Sequence, residues 1–175
     1  MPKFVKWVPT RSECIDSFFE LAPVTSSDIV YDLGSGDGRL LFAALDKGAW
    51  KCVGIEIDPE YVNTSRETAK NKGLDEKVTF IEADMMGEDL SPASIILGYI
   101  LDSASGFLRP KFEKELKPGT RVVMESFPVP GWKPAKTKEI NGKIFYLYIM
   151  PPEKTEDYDT VLMDTAYEYE WFYWP

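Results

Sequence analysis

"VYDLGSGDGRL", residues 30–40, runs an apolar strand into a turn with glycines at 34, 36 and 38 and sets Asp32 and Asp37 among them. An apolar run punctuated by glycines and followed by a helix-period stretch reads as the first strand-to-helix turn of an α/β unit. Such turns usually cradle phosphate, yet carboxylates repel phosphate. The dinucleotide fingerprint needs its third glycine one residue later than Gly38, and the Walker lysine is missing. The turn therefore asks for a ligand that tolerates a close backbone approach and welcomes negative charge.

Outward from this turn the chain alternates. Downstream, "GDGRLLFAALDKG" predicts a helix stopped at Gly48, and "KCVGIEI" a second strand. "DPEYVNTSRETAKNKG" predicts a helix with Asp58 as cap, Pro59 at its first position and Gly73 closing it. "KVTFIEA" and "SPASIILGYI" read as strands, "GFLRPKFEKELK" as an amphipathic helix, and "TRVVMES" and "GKIFYLYIM" as strands. Upstream, Thr10 and Glu13 in "TRSE" form a capping-box pattern before a helix of about eleven residues that ends near Pro23. Strands alternating with helices specify an α/β layer fold with a mainly parallel sheet. Asn141-Gly142 within "KTKEINGKIFYLYIM" is a two-residue hairpin signal, so the sheet is expected to end in a C-terminal antiparallel hairpin.

The length of 175 residues predicts a single domain, with a core of about residues 7–150 and an acidic, aromatic extension over 151–175. In "TAYEYEWFYWP" aromatic residues alternate with Glu168 and Glu170, giving an extended segment one aromatic and one anionic face. It reads as an edge strand or flap over the same domain, or as an arm for substrate or self-association. No apolar run suits a signal peptide or a membrane span, so the expectation is a soluble, cytoplasmic protein. Cys14 and Cys52 lie in apolar-periodic surroundings and read as buried hydrophobes, and the sequence has no histidine, so no metal site is expected. Acids outnumber bases 29 to 20, a formal charge of -9, which argues against an overall nucleic-acid binder and favours cationic partners.

A ligand with a cationic sulfonium, an α-ammonium, a ribose and no phosphate meets the turn's requirements, and S-adenosylmethionine is such a ligand. The glycines admit its ribose and methionine portions, and Asp32 can meet the ammonium. Glu56, ending the second strand about twenty residues beyond the loop, is placed to take the ribose hydroxyls. Asp84, after the third strand, can accept from the adenine amine. Each acid singly also reads as a solvated strand-end residue; their order along the chain is what joins them.

"VYDLGSGDGRL", "GIEIDPEYV" and "FIEADM" resemble the motifs of class I S-adenosylmethionine-dependent methyltransferases over residues 29–127. "WVPT", the glycine motif and "LRPKFEKELKPGTRVVMESFPVPGW" are more closely similar, over residues 7–150, to the small archaeal protein-lysine methyltransferases. The resemblance implies a Rossmann-like, doubly wound, three-layer α/β/α sandwich and a monomeric enzyme of broad protein substrate range. It also implies cofactor contacts at Gly34, Ser35, Gly36, Gly38, Ile57, Met85 and Tyr99, with Pro9 and Thr10 bordering the methionine end. The tail has no counterpart in that resemblance, and Asp102 and Ser103 stand where neutral polar residues are expected.

In-line methyl transfer needs donor and acceptor aligned and dry rather than a strong acid or base. A lysine acceptor must arrive neutral, although at a free pKa of about 10.4 only about one in a few thousand is neutral at pH 7. Tyr99, Leu101 and Phe127 are candidates for an apolar acceptor channel, and equally for strand-end packing. Asp102 reads either as orienting the acceptor or as capping the helix after it. The base-methylating Asn/Asp-Pro-Pro-aromatic motif is absent from "GYILD", which favours protein lysine as acceptor. An RNA or small-molecule acceptor is the alternative, supported if Lys111, Lys114, Lys117 and Arg121 form a basic stripe leading to the pocket. A non-catalytic module that binds S-adenosylmethionine, its tail closing the channel or holding a partner, is the third reading.

Overall fold

A computed structural model describes residues 9–161. In chain order the elements are α1 (Ser12–Leu21), β1 (Ile29–Leu33), α2 (Arg39–Asp46), β2 (Lys51–Glu56), α3 (Pro59–Asn71), β3 (Val78–Glu82), β4 (Ile95–Gly98), α4 (Asp102–Glu115) and β5 (Arg121–Glu125). Four short or paired strands follow: β6 (Trp132–Lys133), β7 (Lys136–Ile140), β8 (Lys143–Ile149) and β9 (Glu153–Lys154). Among the described residues seven strands form one sheet in the order β3-β2-β1-β4-β5-β8-β7. β1 to β5 run parallel, and β8 and β7 are antiparallel. The fold is the expected Rossmann-like mixed sheet with its terminal hairpin.

The chain builds outward from β1 to β2 and β3, then returns to place β4 on β1's other side. The strand order reverses between β1 and β4, and a crevice opens at their carboxyl ends. Side chains alternate across the sheet with the strand period of two. Val30, Ile95, Leu97, Val123 and Phe145 face α1, α2 and α3, while Tyr31, Leu33, Ile96, Met124 and Tyr148 face the other way. That second layer has one helix, α4, supplemented by chain around Leu90 and Val129 to Trp132. The sandwich is three-layered but lopsided.

Several local expectations hold at the atomic level. Asp58 caps α3 by accepting from the Glu60 N–H at 2.9 Å, with Pro59 in the first turn. Asn141 and Gly142 both take positive φ, 50° and 76°, as the tight hairpin between β7 and β8 requires. The capping box does not form. Arg11 occupies the α1 cap without a side-chain bond, and Thr10 Oγ1 instead donates to Glu125 Oε2 at 2.9 Å. The buried carboxylate takes the hydroxyl proton in a charge-assisted hydrogen bond, and the helix is entered one residue later than the pattern implies.

β4 is shorter than "SPASIILGYI" suggests, covering Ile95–Gly98, and Asp89 accepts from the Ser91 N–H in the turn before it. α4 begins four residues before Gly106. The β6–β9 ladder was not legible in advance, and the aromatic stretch after residue 161 lies outside the described residues.

Candidate active site

The crevice holds a cavity of about 350 Å³, within the range that takes a cofactor-sized ligand. Its floor is the glycine turn. The N–H groups of Gly34 and Ser35 donate to Ile55 O at 2.8 and 3.1 Å, folding the turn back over β2. Gly38 sits at φ +79°, and a Cβ there would lie 2.6 Å from the Phe80 ring, so the position demands glycine twice over. Gly36 is clamped between Glu56, which accepts its N–H at 2.9 Å, and Ser65, whose hydroxyl donates to its carbonyl at 2.8 Å. Gly34 and Ser35 line the cavity; Gly36 and Gly38 shape the loop without lining it.

The acids around the turn differ in what they already hold. Glu56, 6% exposed, accepts from Gly36 through Oε2 and from the N–H groups of Ile57 and Asp58 through Oε1 at 2.8 and 3.0 Å. Asp37 grips Arg39, Nε to Oδ1 at 2.9 Å and Nη2 to Oδ2 at 2.6 Å, and Arg39 Nη1 also reaches Thr10 O at 3.0 Å. Asp84 is exposed, lines the cavity and accepts from the Met86 N–H at 2.9 Å.

Asp32 is 4% exposed, lines the cavity and has no hydrogen bond or ion pair among the described residues. Burial pushes its carboxyl up to about 8, and the charges of Glu56, Asp37 and Glu125 push the same way. A carboxylate so placed favours a cation from outside the chain.

The opposite wall is apolar. Tyr99 and Phe127 stack with ring centroids 6.1 Å apart and planes 20° from parallel, joined on the wall by Leu101 and Ala104. Phe127 reaches this position through a sharp turn: Ser126 has φ +67° and its N–H donates to Ile144 O at 2.7 Å. Ile57 and Met85 also line the cavity, as does Thr10, whereas Pro9 beside it does not. Leu101 takes the cap position of α4, so Asp102 enters the helix as its first residue rather than as its cap; its side chain lies outside what the structure describes.

Sequence reasoning missed two residues behind this wall. Glu125, fully buried at the end of β5, pairs with Lys143, whose Nζ lies 4.5 Å over the Tyr99 ring. The strand-end acid in "VVMES" carried the same kind of signal as Glu56, but nothing local pointed to its lysine.

These features fit S-adenosylmethionine. A buried acid with no counter-charge among the described residues suits its ammonium. Arg39, the basic residue on the cavity wall among those described, is already engaged, which leaves no cation for a phosphate. A family model described as the ANTKMT methyltransferase domain matches residues 32–136. The chain belongs to this family.

It is 35% identical over 155 residues to a protein-lysine N-methyltransferase of Saccharolobus islandicus (strain REY15A), covering 86% of this chain and 96% of that one. It is also 34% identical over 103 residues to the mouse adenine nucleotide translocase lysine N-methyltransferase, of whose length it spans 45%. Among solved structures, an RNA methyltransferase from Salinibacter ruber in complex with S-adenosyl-L-homocysteine superposes with a TM-score of 0.82. The two share 40% identity across 87% of this chain and 99% of that chain. As a member of the ANTKMT methyltransferase domain family, the protein is a methyltransferase whose cofactor is S-adenosylmethionine.

Proposed function

We propose that the enzyme methylates lysine side chains of other proteins. The observation that carries this reading is the 35% identity over almost the whole Saccharolobus protein-lysine enzyme, joined to an apolar, aromatic acceptor wall in a chain of net charge -9. An acidic surface draws lysine-rich proteins toward the crevice, and a stacked aromatic wall strips water from the arriving side chain.

In this reading Asp32 binds the cofactor's ammonium, Glu56 the ribose and Asp84 the adenine amine. Gly34, Ser35, Ile57, Met85, Thr10 and Tyr99 complete its seat. Bound there, the cofactor supplies an electrophilic methyl group. Tyr99 and Phe127 hold the acceptor amine in line and exclude water. Both free cysteines are buried, which agrees with a reducing cytoplasm.

The RNA reading has the Salinibacter structure in its favour. The geometry of the basic residues speaks against it. Arg121 opens β5, at the end of the sheet away from the crevice, and is spent on Asp28 and the Pro23 carbonyl. α4 leaves the cavity at Leu101 and Ala104, so Lys111 and Lys114 sit about a further 10 to 15 Å along it. Lys111 is paired with Glu115.

The deciding experiment gives labelled S-adenosylmethionine to mixed cell protein and to total RNA in parallel. Label on protein lysines is expected; label confined to RNA would replace the reading.

A further inference from the structure

The Glu125–Lys143 pair stands against the acceptor wall, and the two ends of the pair face different surroundings. Glu125 is 0% exposed and also accepts from Thr10, while Lys143 keeps 19% of its side chain exposed and sets its ammonium over Tyr99 at 4.5 Å. The buried end is negative and the end beside the aromatic wall is positive. Lys143 is drawn from the β7–β8 hairpin, Glu125 from β5 and Tyr99 from the end of β4, so the arrangement spans three elements.

We propose that Lys143 is a fixed cation behind the acceptor wall whose charge, aimed by Glu125 as a positioning residue, keeps an incoming lysine in its neutral, nucleophilic form. This rests on the lysine reading above. A second ammonium entering in front of Tyr99 feels, across the ring, a like charge that cannot retreat, because its carboxylate partner is buried, and shedding a proton to water relieves the repulsion. The neutral nitrogen then gives its lone pair to the methyl carbon. The carbon–sulfur electron pair stays on sulfur, and the methylated nitrogen takes the positive charge.

The other charges nearby do not cancel this. Arg11 at the cap of α1 and Glu13 in its first turn, which act with Glu125 and Lys143 on Cys14, carry opposite charges. Asp37 is neutralised by Arg39, and Glu56 is satisfied by three backbone N–H groups. Asp32 is left for the cofactor's own cation. On β7 the residue opposite Lys143 is Ile140, which carries no charge.

The test is the pH dependence of kcat/KM for a lysine-containing protein at saturating S-adenosylmethionine, in wild type, Lys143→Gln and Lys143→Arg. In Lys143→Gln the acid limb should move up by about one pH unit, a loss of about tenfold near neutrality that is recovered in alkaline buffer. Lys143→Arg, which keeps the charge, should hold the wild-type limb. Cofactor affinity measured in parallel should stay within about twofold, and Lys143→Met, which keeps the apolar stem, serves if the glutamine variant does not fold.

A limb that stays put in the neutral variants, or a uniform loss at every pH, overturns the proposal. So does a methyl group found on Lys143 itself, which would make it an acceptor. Failure of wild type to methylate any protein lysine is a different result and defeats the lysine reading instead.

Discussion

Four carboxylates, those of Asp32, Asp37, Glu56 and Glu125, crowd one end of the sheet, and three have found partners within the chain. Asp32 has none among the described residues, and two measurable consequences follow. Its carboxyl, raised from an ordinary 3.8 to about 8, keeps its proton in the folded chain where the unfolded chain has released it. That contribution to stability is full below about pH 4 and is lost as pH rises through about 8. Melting temperatures without cofactor should therefore fall between about pH 5 and about pH 9, and Asp32→Asn should flatten the decline; a flat wild-type curve would mean that Asp32 already has its cation.

Calorimetry should show Asp32→Ala and Glu56→Ala each weakening S-adenosylmethionine by about 1 to 3 kcal/mol. The two should part in stability. Glu56→Ala strands the N–H groups of Gly36, Ile57 and Asp58 and should lower the melting temperature as well, whereas Asp32→Ala removes a buried acid and should not. Equal melting shifts would contradict these roles.

The glycine turn and the helix that follows it act as one element. Gly48 and Gly38 both take positive φ, but an added Cβ at Gly48 meets nothing within 4 Å, while at Gly38 it strikes the Phe80 ring. Gly48→Ala should cost about 1 kcal/mol, from backbone conformation alone. Gly38→Ala should cost about 2 to 4 kcal/mol, strain plus a displaced ring, and should weaken cofactor binding through the shifted turn. Denaturant melts giving the two variants equal stability would show that Phe80 moves aside freely.

The turn was readable in the sequence because its demands are local: a positive φ calls for glycine whatever packs above it. α1 shows the opposite case. Thr10 and Glu13 carry a sound capping pattern, but Thr10 bonds a carboxylate 115 residues away. No window around Thr10 contains that competitor.

At the scale of the whole molecule the lopsided sandwich puts unusual weight on α4, the sole helix on its face among the described residues. Phe112 is 0% exposed and packs 6.0 Å from the Trp132 ring, at the foot of the segment that carries Phe127. Phe112→Ala should cost about 3 to 5 kcal/mol and, by loosening that segment, raise the KM for the acceptor more than for the cofactor. Unfolding and steady-state kinetics would check both halves, and an equal rise in the two KM values would show that the wall is set elsewhere.

The sequence alone determined the order of strands and helices, the glycine turn, the tight hairpin and the acids that end the strands. Periodicity, backbone conformation and the position of a residue at an element's end are all written within a few neighbours. Only the tertiary structure decided that Asp32 has no counter-charge among the described residues, that Glu125 takes Thr10 and Lys143, and that the basic residues of α4 and β5 lie away from the crevice. Each of these depends on which strands become neighbours, and the partners that set a buried charge come from parts of the chain that no local pattern connects.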